Sequence, residues 1–144
     1  MNESIDPLIF LTIKSVVFVG YIYFGFRYFR GDAPGFIVYS LALGLARGAF
    51  GLLLGAVAFF LATLVAEKTG FIPPADVVGK FILTSGCLLP GRVLLWTIVG
   101  RLVAGRLDRQ VFIWVVGGVA ISLPFDLYIC LKYDKFVGPF LFVG

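Results

Sequence analysis

The chain has 144 residues, of which 60% are hydrophobic, 17% aromatic and 14% charged. Soluble domains carry nearer a quarter of charged residues, so this composition excludes an ordinary soluble domain and indicates an integral membrane protein. The length allows one transmembrane domain over residues 1–144. The formal net charge is +4. Histidine, the commonest catalytic base and metal ligand, is absent, so we expect no enzyme, no metal site and no cofactor.

Four apolar segments are long enough to cross a bilayer, which takes about 20 apolar residues in a helix. We predict an all-α integral membrane protein, a four-transmembrane-helix bundle with short loops and spans over residues 8–29, 36–66, 77–104 and 111–131. The second span is longer than a bilayer requires, so it either tilts or begins as an interfacial turn. Residues 136–144 form an apolar C-terminal tail that is too short to span and lies at the interface or against protein.

An aspartate precedes each predicted helix, and an N-cap carboxylate accepts hydrogen bonds from unpaired backbone amides. We therefore interpret four acids as helix starts rather than catalytic groups: Asp6, Asp32, Asp76 and Asp108. Gly70, followed by Pro73 and Pro74, predicts the end of the second helix and a rigid turn.

The flanking charges predict the orientation in the membrane. Acidic residues precede the first helix, so we expect it to remain in the mature protein rather than to be cleaved as a signal peptide. One side of the bundle holds Arg27, Arg30, Arg101, Arg106 and Arg109, and the other holds Lys68, Lys80, Lys132 and Lys135. The positive-inside rule then places both termini outside, in a membrane such as the bacterial inner (plasma) membrane.

Four glycines of the second helix fall on one stripe because their spacings are four, three and four residues. They are Gly44, Gly48, Gly51 and Gly55. Within lipid, close backbone approach decides which helix faces meet, so small residues mark packing faces. We predict that this stripe packs against another helix, either of the same chain or of a second copy in a homo-oligomer.

Four ionisable residues lie inside the predicted spans: Lys14, Arg47, Arg92 and Asp126. Charges at such depth are costly, and they usually face the bundle interior, a water cavity or one another. With a rise of 1.5 Å per residue they lie roughly 21 to 30 Å from the turns near residues 32 and 106, in the middle or outer half of the spans, and a bundle would bring them to about one level. Three cations and one carboxylate leave a local formal charge near +2, which predicts an anionic companion.

Structural explanations exist for each of these charges. The long stem of Lys14 allows its ammonium to snorkel to the headgroups. Trp96 lies one turn from Arg92 and offers its ring face to the guanidinium. Arg92 and Asp126 form a static ion pair if the Arg side chain bridges a depth offset of about 9 Å, six residues of helical rise.

The functional prediction is that Arg47 and Arg92, with Lys14, Asp126 and Trp96 beside them, bind an anionic group, as in a small channel, a transporter or a lipid-handling component. The alternative is an accessory subunit of a larger membrane complex, in which a buried arginine pairs with a partner's acidic residue. A third option is an effector that disrupts the bilayer on assembly. The glycine stripe allows it, but no sequence feature requires it. The expected partners are membrane lipids, copies of this chain or other membrane subunits, and not nucleic acid.

Overall fold

A computed structural model describes residues 7–70 and 76–132 of the chain. In this part the chain forms four helices: α1 (Pro7–Arg30), α2 (Phe36–Thr69), α3 (Val77–Ala104) and α4 (Arg109–Lys132). Each is long and apolar enough to cross a membrane. The predicted all-α bundle of four membrane-spanning helices is therefore confirmed, with helix bounds close to those expected from the apolar runs.

Two of the predicted aspartate caps are present at helix starts. The Asp76 carboxylate accepts a hydrogen bond from the backbone N–H of Gly79 at 2.7 Å and caps α3. Asp108 accepts from the backbone N–H of Val111 at 2.9 Å at the start of α4. Both carboxylates satisfy amides of the first helical turn, which have no partner within the helix.

The predicted cap at Asp32 is wrong. The N-cap of α2 is Gly35, which makes no side-chain cap, because the chain turns through residues 33–35 before the helix begins. Asp32 instead pairs with Arg27 of α1 at 3.1 Å. Gly70 ends α2 as predicted, in the left-handed conformation with φ of +65°. The predicted cap Asp6, the turn at Pro73 and Pro74, and the tail 136–144 lie outside the described residues.

The two ends of the bundle are named by residues that lie at them. We call the end with residues 31–35 and 105–108 the 32/106 end, and the opposite end, where α2 stops and α3 starts, the 70/76 end.

α3 packs most extensively against α4 and also contacts α1 and α2. Its buried face repeats every four residues, as one helix stripe requires: Lys80, Thr84, Leu88, Arg92 and Trp96.

An aromatic core fills the bundle toward the 32/106 end. The rings of Trp96 and Trp114 meet edge to face, with centroids 5.4 Å apart. Tyr21 of α1 stacks on Trp114 at 4.8 Å and donates a hydrogen bond from its hydroxyl to the Trp114 carbonyl at 2.7 Å. Phe18 meets Trp96 edge to face at 5.7 Å. These contacts fix α1, α3 and α4 against one another.

Glycines outside the predicted stripe allow these rings to pack closely. A Cβ atom at Gly118 of α4 would lie 2.5 to 2.8 Å from the indole of Trp96. A Cβ at Gly25 of α1 would lie 2.8 to 3.0 Å from the indole of Trp114. Real side chains do not approach so closely, so both positions require glycine for this packing.

The glycine stripe of α2 divides between two environments. Gly44 packs against Val19 of α1, whose side chain a Cβ at Gly44 would overlap. A Cβ at Gly48 would meet no atom of the other described helices within 4 Å, whereas Gly51 and Gly55 line a cleft toward α3. Part of the stripe therefore packs within the chain.

Candidate functional site

The buried polar side chains concentrate in the half of the bundle nearer the 70/76 end. Lys14 lies in the first half of α1, and Lys80 and Thr84 lie in the first half of α3. Ser122 and Asp126 lie in the second half of α4, which runs antiparallel to α3. The aromatic core occupies the other half, so the interior changes from apolar to charged along its length.

Arg92 and Asp126 form a buried ion pair between α3 and α4. Arg92 Nη2 donates to Asp126 Oδ1 at 2.7 Å, and Nη1 donates to Oδ2. The Ser85 hydroxyl also donates to Oδ2, at 3.4 Å. The static pair considered from the sequence is therefore present, with both Nη atoms of Arg92 bonded to the Asp126 carboxylate.

Arg47 of α2 enters the bundle between two aromatic rings. Its guanidinium carbon lies 3.9 Å from the ring centroid of Phe18 and 4.3 Å from that of Trp96. Arg47 is 2% exposed, so its charge lies inside the protein rather than in lipid. The expectation that Trp96 stacks on Arg92 is not met, because the guanidinium over this indole belongs to Arg47 of the neighbouring helix.

Lys14 of α1 does not reach the headgroups. It is 2% exposed, and its Nζ lies 5.8 Å from the ring centroid of Phe18 and 5.7 Å from that of Phe125. Within the described part of the chain, Nζ has no hydrogen-bond acceptor. The structure therefore decides against snorkelling and leaves a buried ammonium that ring faces stabilise only weakly.

The four predicted charges act on one another electrostatically. Lys14 is attracted by Asp126 and repelled by Arg92 and Arg47, and Arg47 is repelled by Arg92. We call these four residues the charge cluster. Three cations against one carboxylate give the cluster a formal charge of +2, as the sequence predicted, and the carboxylate is bonded to Arg92.

Two further groups extend the charge cluster toward the 70/76 end, and sequence reasoning missed them. Lys80 was counted among the flanking cations because it lies near the start of α3, yet it is buried. Cys130 of α4 is buried within electrostatic range of Lys80 and Asp126. The four-residue spacing from Lys80 through Thr84 and Leu88 to Arg92 is the signal that places Lys80 on the buried face of α3, whereas no such spacing points to Cys130 of α4.

A cleft between α2 and α3 reaches the charge cluster. It has a volume of about 180 Å³. Small and apolar side chains form its walls, and Arg92 is the charged residue that lines it: Gly51, Leu54, Gly55, Val57, Ala58 and Leu61 from α2, and Cys87, Leu88, Gly91, Arg92 and Leu95 from α3. The cleft is thus an apolar space with a guanidinium in its wall.

Comparison with known proteins gives no relative. No protein-family model matches the chain, no curated protein matches its sequence, and no solved structure matches its fold.

Proposed function

We propose that this chain is a non-enzymatic, multi-pass membrane protein that binds an anionic group within the membrane at the charge cluster. Its residues supply the binding chemistry: Lys14, Arg47 and Arg92 provide positive charge, Asp126 orients Arg92, and Trp96 holds Arg47. The class of component is a small channel, a transporter or a lipid-handling protein.

The buried ammonium of Lys14 carries this proposal. It is 2% exposed and has no hydrogen-bond acceptor among the described residues. An ion taken out of water costs several kcal/mol unless partners compensate it. A bound carboxylate or phosphate would supply both the negative charge and the acceptor that Lys14 needs.

The Arg92–Asp126 pair has a positioning role in this proposal. It holds one guanidinium at the level of the charge cluster while cancelling its net charge, so Lys14 and Arg47 account for the formal +2. A guanidinium makes charge-assisted hydrogen bonds to carboxylate or phosphate oxygens, and Arg92 keeps its Nε for such an acceptor because both of its Nη atoms bind Asp126.

The alternative is a partner subunit whose acidic side chain neutralises the charge cluster. The burial of Lys14 and Arg47, each 2% exposed, favours a small acidic group over a side chain presented by a neighbouring helix. We therefore rank anion binding first.

Mass spectrometry of the intact protein in mild detergent tests the proposal, with chloride flux measured in liposomes in parallel. We expect the wild type to retain an anionic molecule or to conduct the anion. Lys14→Gln and Arg47→Gln should each abolish this behaviour. Arg101→Gln is the matched control because Arg101 is an exposed cation of α3.

A wild-type protein with no retained anion and no flux would overturn the proposal. Stoichiometric co-purification of a foreign chain, lost in Lys14→Gln, would favour the accessory-subunit alternative. Size-exclusion profile and helicity of each variant show that it remains folded, so loss of binding is separable from loss of structure.

A further inference from the structure

The cleft between α2 and α3 differs from the rest of the charge cluster's surroundings because it provides space. The side chains of Leu54, Leu88 and Leu95 make its walls apolar, and the absence of side chains at Gly55 and Gly91 keeps it open. Arg92, 3% exposed, lines the same space. A ligand that fits this cleft therefore has an apolar part and an acidic part.

The size of the cleft decides between two kinds of occupant. An α-helix is about 10–12 Å across with a 5.4 Å pitch, so one turn occupies roughly 400–600 Å³. The cleft holds about 180 Å³ and cannot enclose one turn of a partner helix. Pockets that enclose a whole small molecule measure roughly 300–1,000 Å³. The volume fits a short segment of a flexible ligand, such as part of one hydrocarbon chain.

The surroundings of the cleft indicate where that chain comes from. The cleft lies along the membrane-spanning parts of α2 and α3, and two of its lining residues, Val57 and Leu61, are about half exposed at 48% and 54%. In a bilayer these side chains face acyl chains rather than water. The cleft therefore opens toward lipid.

Charge complementarity completes the description of the ligand. The charge cluster has a formal charge of +2 and borders the cleft through Arg92, whose Nε has no hydrogen-bond acceptor among the described residues. We infer that the ligand is an anionic membrane lipid that enters laterally between α2 and α3, with part of one acyl chain in the cleft and an oxygen of its acidic group accepting from Arg92 Nε. This inference rests on the proposed function and names the class of anion that the site takes.

Two glycines of α3 provide a matched pair of variants. A Cβ at Gly91 lies 3.6 Å from Leu54, an ordinary contact, so Gly91→Leu fills the cleft from its wall. A Cβ at Gly86 meets no atom of the other described helices within 4 Å, and Gly86 does not line the cleft, so Gly86→Leu is the control on the same helix. Gly55→Leu fills the cleft from the α2 side and serves as a second variant should Gly91→Leu fail to fold.

The test uses the full chain in mild detergent with phosphatidylglycerol or phosphatidylcholine of identical acyl chains, and native mass spectrometry counts the retained lipid. We expect the wild type and Gly86→Leu to prefer phosphatidylglycerol by roughly tenfold or more, because basic residues attract anionic lipid. Gly91→Leu and Gly55→Leu should lose this retention. An excess of inorganic phosphate should not displace the lipid, because a free anion has no chain to occupy the cleft.

The outcomes separate this inference from the proposed function. If Lys14→Gln abolishes phosphatidylglycerol retention while both cleft-filling variants keep it, the anion site stands and lateral entry is wrong. Displacement by inorganic phosphate, or a polypeptide released by Gly91→Leu, would also overturn the lipid assignment. Equal retention of both lipids by every variant, with no other anion bound, would overturn the proposed function as well.

Discussion

Replacing Lys14 with methionine should make the ligand-free protein more stable. Methionine keeps the unbranched apolar stem and removes the ammonium, which is 2% exposed and has no hydrogen-bond acceptor among the described residues. Burying an ion costs several kcal/mol. The ring faces of Phe18 and Phe125, 5.8 and 5.7 Å away, return roughly 0.5 to 2 kcal/mol each.

The attraction of Lys14 by Asp126 is opposed by repulsion from Arg92 and Arg47, so the difference between the burial cost and the ring contribution predicts a gain of about 1–3 kcal/mol in the free energy of unfolding of Lys14→Met. Unfolding by sodium dodecyl sulfate in mixed micelles, with delipidated protein, measures this gain. Lys68→Met is the control because Lys68 is exposed at the end of α2, and its effect should stay within about 0.5 kcal/mol.

The sign of the change tests the reasoning directly. A functional residue that costs stability in the absence of its ligand is the signature of a binding site. The same variant should therefore gain stability and lose anion retention. A loss of more than about 1 kcal/mol in delipidated Lys14→Met would show that protein groups already satisfy the ammonium, and the binding proposal would lose its main support.

Three further outcomes follow from the packing. Asp126→Asn leaves the Arg92 guanidinium without its carboxylate and should cost about 3–5 kcal/mol, whereas the double variant Arg92→Met/Asp126→Leu should recover most of it, as measured by the same unfolding assay. Gly118→Ala pushes a methyl group into the indole of Trp96 and should cost about 1–3 kcal/mol; a melting temperature equal to that of the wild type would contradict the close packing. A Cβ at Gly48 meets no atom of the other described helices within 4 Å, so Gly48→Leu should leave stability unchanged, and any loss of chemical crosslinking between copies would locate a homo-oligomer contact at this glycine.

The positions of the helices were predictable because apolar runs and turn residues are local signals. Asp76 and Asp108 cap α3 and α4 as expected, since each stands directly beside the first helical turn. Asp32 does not, because a turn separates it from the helix that it was expected to start. An aspartate thus marks the start of a helix only when no turn lies between it and the first helical residue.

The contents of the charge cluster were predictable, but several of its contacts were not. Burial of Arg47, Arg92 and Asp126 followed from their depth in the spans, whereas the sequence left Lys14 open to snorkelling. The ring face that Trp96 offers to Arg47 depends on how α2 is rotated toward α3, and no pattern within one helix records that rotation.

The glycines that matter most for the core also escaped sequence reasoning. Gly25 and Gly118 seat the two indoles, yet neither belongs to a periodic stripe such as the one in α2. Each is required by a single large ring on another helix. Such one-to-one fits between a glycine and an aromatic side chain depend on tertiary packing and carry no spacing signal.

The placement of the two indoles gives the protein an intrinsic optical reporter. Trp96 and Trp114 are the two tryptophans of the chain, and both lie in the core toward the 32/106 end. Their emission therefore monitors the opening of that half of the bundle and not of the polar half. Because the Arg47 guanidinium lies 4.3 Å above Trp96, displacement of this side chain by a ligand would register as a change in the fluorescence of a single indole.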